Sequence, residues 1–109
     1  MAVKTAVPRL SEKDFQTQVI DLAHVFGWKV AHFRPAQTAK GWRTPVGADG
    51  KGFPDLVLAR ERDGKRQQIF AELKTDKGTA TIEQLQWLKV LNGYLWKPSD
   101  FDKIQELLK

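Results

Sequence analysis

The segment Ile69-Phe70-Ala71-Glu72-Leu73-Lys74 alternates in a way that matters for chemistry, because side chains two apart on a strand share a face. Ile69, Ala71 and Leu73 point one way, and Phe70, Glu72 and Lys74 the other, so an acid and a base stand side by side. Seventeen positions before Glu72 (72 − 55), Asp55 opens a second apolar run, Asp55-Leu56-Val57-Leu58-Ala59-Arg60. If the two runs pair antiparallel, Asp55 begins one strand where Glu72 and Lys74 end its neighbour. One sheet edge then collects two carboxylates and an ammonium. Carboxylate oxygens, together with a main-chain carbonyl such as that of Leu73, suit a hard ion like Mg²⁺, which keeps several waters. Such an ion lowers the pKa of an attacking water and stabilises charge growing on a phosphodiester oxygen, while Lys74 orients the water or neutralises the phosphorane. Taken singly, Glu72 and Lys74 also fit the solvated face of a half-buried strand, and Asp55 fits a turn after Pro54. The joint arrangement, with Gly52-Phe53-Pro54-Asp55 directly ahead of an apolar strand, is what singles them out.

The elements that must position these residues are legible from capping and periodicity. Ser11 ahead of Glu12-Lys13-Asp14 reads as a helix N-cap, with Leu10 and Phe15 spaced as a hydrophobic staple. Phe15, Val19, Leu22, Ala23 and Phe26 recur at helical spacing, and Gly27 is a suitable terminator. Three strands are expected at 28–33, 55–60 and 68–74, the last two joined by the turn-like Arg62-Asp63-Gly64-Lys65. Thr81 and Gln84 stand in capping-box spacing before a second helix, whose Leu85, Leu88 and Leu91 lie on one side and which ends at Asn92-Gly93. Residues 94–96 supply a further strand. Ser99 is placed to cap a third helix with Phe101, Ile104, Leu107 and Leu108 as its buried stripe. The order α-β-β-β-α-β-α predicts an α/β domain with a mixed central sheet flanked by helices. Residues 35–52 read as one long loop, and residues 1–10 as a flexible N-terminal arm.

A chain of 109 residues with 41% hydrophobic content accommodates one core, and therefore one domain spanning 1–109. The absence of cysteine excludes disulfides, a thiol nucleophile and thiolate zinc sites, leaving oxygen ligands or two histidines for any metal. No apolar run is long enough for a membrane span, and the first ten residues lack the hydrophobic centre of a signal peptide, so a cytoplasmic setting is expected. Eighteen basic against thirteen acidic residues give a net charge of +5, which favours a polyanionic partner.

Pro54-Asp55 followed by Glu72-Leu73-Lys74 resembles the PD-(D/E)xK nuclease motif. The wider pattern, Gly52-Phe53-Pro54-Asp55-Leu56-Val57-Leu58, Ala71-Glu72-Leu73-Lys74 and Glu83-Gln84-Leu85-Gln86-Trp87-Leu88, is similar to the VRR-NUC, or virus-type replication-repair nuclease, branch of that superfamily. Trp96-Lys97-Pro98-Ser99-Asp100 extends the likeness, which covers about residues 11–108. The resemblance implies a restriction-endonuclease-like core that cuts DNA with Mg²⁺ or Mn²⁺. Compact members, often phage-borne, act as homodimers selective for branched DNA such as Holliday junctions or flaps. Asp55 and Glu72 inherit the metal-ligand role, with the Leu73 carbonyl, and Lys74 the base or charge-stabilising role. Glu12 matches by position the first-helix glutamate that completes such sites, although the helix macrodipole equally favours an acid there. Gln84 matches a helix glutamine near the active centre, and the capping box explains it as well. The Asn92-Gly93 connection is shorter than the branch's usual link, which bears on the last strand and the dimer surface.

Arg34, Lys40, Arg43 and Lys51 stand against a single acid, Asp49, in the glycine-containing stretch before Asp55. Together they can clasp a phosphate backbone, giving affinity without reading sequence. Trp42 is a candidate for stacking on an unpaired base, and His32 and Lys77 are candidate phosphate contacts. For His32 a structural role and for Lys77 a plain turn are the competing explanations. Trp87, among leucines on a helix, reads as a packing residue. Two functional alternatives use the same features. One is a non-catalytic DNA-binding scaffold or specificity subunit with the same fold, and the other a protein-binding domain presenting Trp42, Phe53 and Trp96.

Overall fold

The structure is a computed structural model that describes residues 10–33, 36–38, 41–43 and 46–109; the side chains of 36–38, 42 and 43 are outside the description. Helix α1 (Glu12–Val25) opens where the sequence places its cap: the Ser11 hydroxyl accepts a hydrogen bond from the Asp14 N–H at 3.0 Å. It buries Phe15, Val19 and Ala23, with Leu22 and Phe26 packed at the margin, and the chain leaves through Gly27 at φ +83°. Leu10 also packs against this core, so the predicted arm stops short of it, and residues 1–9 lie outside the described residues.

Strands β1 (Lys29–His32), β4 (Leu56–Arg62), β5 (Lys65–Leu73) and β6 (Tyr94–Trp96) form a sheet in the order β1-β4-β5-β6. The first three are antiparallel, and β6 runs parallel to β5 after a crossover through α2 (Ile82–Leu91). Asp63 and Gly64, at φ +53° and +76°, connect β4 to β5, and these left-handed dihedrals match the twist a two-residue hairpin requires. One expectation is corrected here. The stretch read as one loop contains two further strands, β2 (Ala36–Thr38) and β3 (Gly41–Arg43), paired antiparallel in a small sheet of their own. Three-residue strands lack the length over which alternation becomes visible.

One sheet face carries the core. Leu56 and Leu58 from β4, Ile69, Ala71 and Leu73 from β5 and Trp96 from β6 meet Phe15, Val19 and Ala23 of α1 and Ile104 and Leu108 of α3 (Phe101–Leu108). Each fully buried leucine or isoleucine contributes about 2 kcal/mol. Two helix stripes differ from expectation. Leu85 is half exposed, because α2 turns Gln84, Trp87 and Leu88 inward instead, and Leu107 is partly exposed while Ile104 and Leu108 are buried. Ser99 does not cap α3. A 3₁₀ turn, Pro98–Asp100, precedes that helix, the Asp100 carboxylate accepts from the Lys97 N–H, and the Asp76 carboxylate accepts from the Ser99 N–H. Among the described residues no helix is long and apolar enough to cross a membrane.

Arg60 ties the layers together at the end of the sheet remote from Asp55. Its guanidinium lies 4.2 Å from the centroid of the Trp28 ring and donates to the carbonyls of Phe26 at 2.7 Å, Leu108 at 3.0 Å and Lys109 at 2.8 Å. One cation thus satisfies the carbonyl ends of both α1 and α3, where the helix dipoles are negative. Trp28 completes the junction by donating from Nε1 to the Leu108 carbonyl at 2.9 Å. Replacing Arg60 with alanine is expected to lower the unfolding free energy by about 2 kcal/mol, given charge-assisted bonds and a stacked cation. Arg60→Lys should recover less than half of that, since lysine lacks the planar fork. Urea midpoints at unchanged m-value measure both.

Candidate active site

The register of the β4-β5 hairpin builds the site. Leu56 pairs with Ala71, so Asp55, one residue before β4, arrives beside Glu72, as the antiparallel reading of the sequence requires. The Asp55 carboxylate accepts a hydrogen bond from the Leu73 N–H at 2.9 Å, which fixes its orientation across the strand end. The Asp55 carbonyl accepts from the Phe33 N–H at 3.1 Å, so the residue is held from β5 and from the end of β1 together.

Glu72 is 2% exposed, the one buried charged side chain among the described residues. Strand alternation correctly turns it away from the main core, but α2 covers that second face, and burial follows. Gln84 Nε2 donates to Glu72 Oε2 at 3.1 Å, and the Lys74 ammonium lies 3.9 Å from the same oxygen. Glu72 Oε1 has no hydrogen-bond partner. Burial raises the Glu72 pKa, side-chain hydrogen bonding toward Asp55 and the Asp55 charge raise it further, Lys74 opposes this, and a smaller push comes from Glu12; the result is about 9. Two ionised carboxylates only accept hydrogen bonds, so the close approach of Asp55 to Glu72 requires one of them to carry a proton or a cation to lie between them.

Glu12, in the first turn of α1, is exposed on its outer side yet belongs to the same electrostatic unit. Its pKa is raised by partial burial and by the Asp55 charge, with Lys74 opposing. Gln84 completes the capping box and also reaches Glu72. Its Oε1 accepts from the Thr81 N–H at 2.8 Å and its backbone N–H donates to the Thr81 hydroxyl at 3.1 Å, which completes the capping box. Because the cap occupies the amide oxygen, the amide NH₂ must face Glu72. The helix cap therefore sets the polarity of the contact in the site.

Gly52 is a residue that the sequence reading quoted but gave no role. At φ +84° it sits so close to α2 that an added Cβ would lie 2.7 Å from Glu83 Cβ and 2.8 Å from the Gln84 nitrogen. Trp87 reinforces the contact by donating from Nε1 to the Asp49 carbonyl at 3.1 Å and meeting Phe53 edge-on, with centroids 5.1 Å apart. Trp87 is thus a packing residue, as its setting among leucines implies. The glycine immediately ahead of Phe53-Pro54-Asp55 was the available signal for this close approach.

The remaining candidates spread more widely. Lys77 is exposed in the turn after β5, Lys51 is exposed beside Asp49 and Trp87, and His32 is half-buried at the end of β1. Trp42 and Arg43 belong to β3, with nothing described of their side chains, and Arg34 and Lys40 lie outside the described residues. No group of three or more histidine, aspartate or glutamate side chains able to hold a metal ion occurs among the described residues. Two carboxylates and the Leu73 carbonyl nevertheless form a donor set of the kind Mg²⁺ accepts, since that ion commonly takes one or two protein carboxylates and fills its other positions with water and phosphate. The unpartnered Glu72 oxygen and the mutual repulsion of the pair fit a divalent cation. No family model, no curated protein and no solved structure matches the chain.

A carboxyl with a raised folded pKa binds its proton more tightly in the native state than in the unfolded chain. Its contribution is complete below the unfolded value near 4.5 and is lost as pH rises toward about 9. Metal-free protein should therefore lose stability between pH 5 and 9 in urea titrations, and Glu72→Gln should flatten that profile. Mg²⁺ at a hundred times its dissociation constant should restore about 2.7 kcal/mol at neutral pH in the wild type and far less in the variant. Gly52→Ala should cost about 2 kcal/mol and weaken Mg²⁺ binding, because the first turn of α2 must shift and carry Gln84 with it. Calorimetric titration with the ion checks both effects.

Proposed function

We propose that the chain is a divalent-metal-dependent endonuclease that hydrolyses DNA phosphodiester bonds, preferring branched or distorted DNA such as a junction or flap. The observation that carries this reading is the convergence, forced by hairpin register, of Asp55 and Glu72 with the Lys74 ammonium 3.9 Å from Glu72 Oε2. The resemblance of Pro54-Asp55, Glu72-Leu73-Lys74 and the Gln84 helix to the VRR-NUC pattern supports it. So does the antiparallel hairpin followed by a helical crossover to a parallel strand, which suits a restriction-endonuclease-like core.

Asp55, Glu72 and the Leu73 carbonyl would hold Mg²⁺ or Mn²⁺, which when bound supplies Lewis acidity toward a phosphoryl oxygen and a more acidic attacking water. Gln84 steadies the ionised form of Glu72 by donating to Oε2. Lys74, half-buried beside that carboxylate, is placed to orient a water or to offset charge developing on the phosphate. Glu12 adds negative charge at the mouth of the site and so strengthens attraction for a cation. The exposed Lys51 and Lys77 are candidate contacts for the DNA backbone, with His32 as a further candidate. Homodimerisation is part of the proposal, because one small subunit with one site cuts one strand at a time.

Purified protein should nick or cut DNA with Mg²⁺ or Mn²⁺ and lose that activity in EDTA. Asp55→Ala should reduce cleavage by at least about a thousandfold, the scale of losing a preorganised electrostatic group, with the circular dichroism spectrum preserved. Cleavage surviving in Asp55→Ala would remove the assignment. Metal-independent binding without any cleavage would instead favour a DNA-binding scaffold on the same fold.

A further inference from the structure

The parallel pairing of β5 with β6 ends with a lysine directly after each strand, Lys74 and Lys97. Leu73 pairs with Trp96, both buried on the core face, and the Lys74 N–H donates to the Trp96 carbonyl at 3.0 Å, a bond that closes this last pair. Lys97 directly follows β6. Its backbone remains extended, at φ −126° and ψ 158°, so pleating turns its side chain to the face shared by Glu72 and Lys74. Adjoining strands are about 4.8 Å apart, so two ammonium-bearing stems leave one sheet edge side by side.

The surroundings of Lys97 leave it able to bind an anion. Its ammonium lies 3.4 Å from the main-chain carbonyl of Asp76, a long contact with a neutral acceptor that uses one of three donors. The two nearby acids each accept a main-chain donor. Asp76 accepts from the Ser99 N–H, and Asp100 accepts from the Lys97 N–H, both at the positive N-terminal end of the helical segment that begins at Pro98. Lys77, exposed in the turn after β5, is a further cation three residues from Lys74 in the chain. Parallel strand ends are also a recurrent ligand-binding position in α/β sheets.

We infer that Lys97 is a second phosphate anchor, holding a backbone phosphate next to the one that is cut, so that the site requires a nucleic-acid chain and not merely a phosphodiester. This rests on the nuclease reading and deepens it. Lys74 serves the reacting phosphate, and Lys97 positions the strand without touching the reacting atoms.

The test compares two substrates that differ in phosphate count. Bis(p-nitrophenyl) phosphate carries one phosphate and offers Lys97 nothing to hold, whereas an oligonucleotide offers its neighbours. Lys97→Gln should raise the KM for oligonucleotide cleavage roughly tenfold, the loss of one charged contact, and leave hydrolysis of bis(p-nitrophenyl) phosphate unchanged. In EDTA, the slope of log affinity against log salt for the same oligonucleotide should fall by about 0.7 to 0.9. Lys97→Arg should restore the oligonucleotide KM and the slope. Equal losses on both substrates would mean a structural role and overturn the inference, as would an unchanged slope. A wild type that cuts both substrates, with Lys97→Gln indistinguishable from it, would sink the anchor and leave the nuclease reading intact. A wild type that neither binds DNA nor hydrolyses either substrate would remove both.

Discussion

Like charges do not gather in a protein interior unless something holds them there, and here the β4-β5 ladder does so. Seven consecutive residue pairs lock the hairpin, and the same register that buries Leu56 and Leu58 against Ile69 and Ala71 delivers Asp55 to Glu72. The energy that opposes the electrostatic cost comes from the apolar side of the same strands. A one-residue slip would turn every core side chain outward, so the carboxylate pair is as secure as the core itself. What remains at the site is a local imbalance, with one buried oxygen unpartnered and a carboxyl holding its proton well above the usual range.

The supporting shell is arranged around that imbalance by ordinary helix-terminus chemistry. Thr81 and Gln84 perform the capping found at many helices, and the side-chain amide that closes the box is the one that reaches Glu72. Gly52 brings the loop ahead of Asp55 against the same helical turn. Stability of α2 and order at the site are therefore coupled. A change that frays the first turn of the helix releases a donor from the carboxylate as well.

Much of this was readable in the residues, for physical reasons that differ by element. Ser11 and Thr81 announced their helices because caps are local and chemically specific. The Asp63-Gly64 turn and the alternation of Ile69 through Lys74 gave the hairpin and its facing, from which the meeting of Asp55 with Glu72 follows. The burial of Glu72 was not readable, since it depends on where α2 lands, a tertiary fact that alternation within one strand does not encode. The outward turn of Leu85 is the same fact seen from the helix. Leu85, Leu88 and Leu91 repeat every three residues, a spacing that drifts around a 3.6-residue helix, and the inward face is set by Gln84, Trp87 and Leu88. The choice between a cap and a contact with Glu72 was undecidable for Gln84 in the sequence, because its amide oxygen serves the cap while its nitrogen reaches the carboxylate. Ser99 failed as a cap because the chain inserts a 3₁₀ turn there, in which Asp100 accepts from the Lys97 N–H and Asp76 from the N–H of Ser99 itself.

The Asp63-Gly64 turn lies at the far end of the hairpin. β4 spans seven residues between it and Asp55, roughly 20 Å of extended chain. Both turn residues adopt left-handed dihedrals that point the connection into solvent, and Arg62, Asp63 and Lys65 around it are exposed. A fluorophore or an affinity handle spliced into that tip would sit clear of the carboxylate pair while riding on the two strands that carry it, and could report on the sheet without obstructing access to the opposite edge.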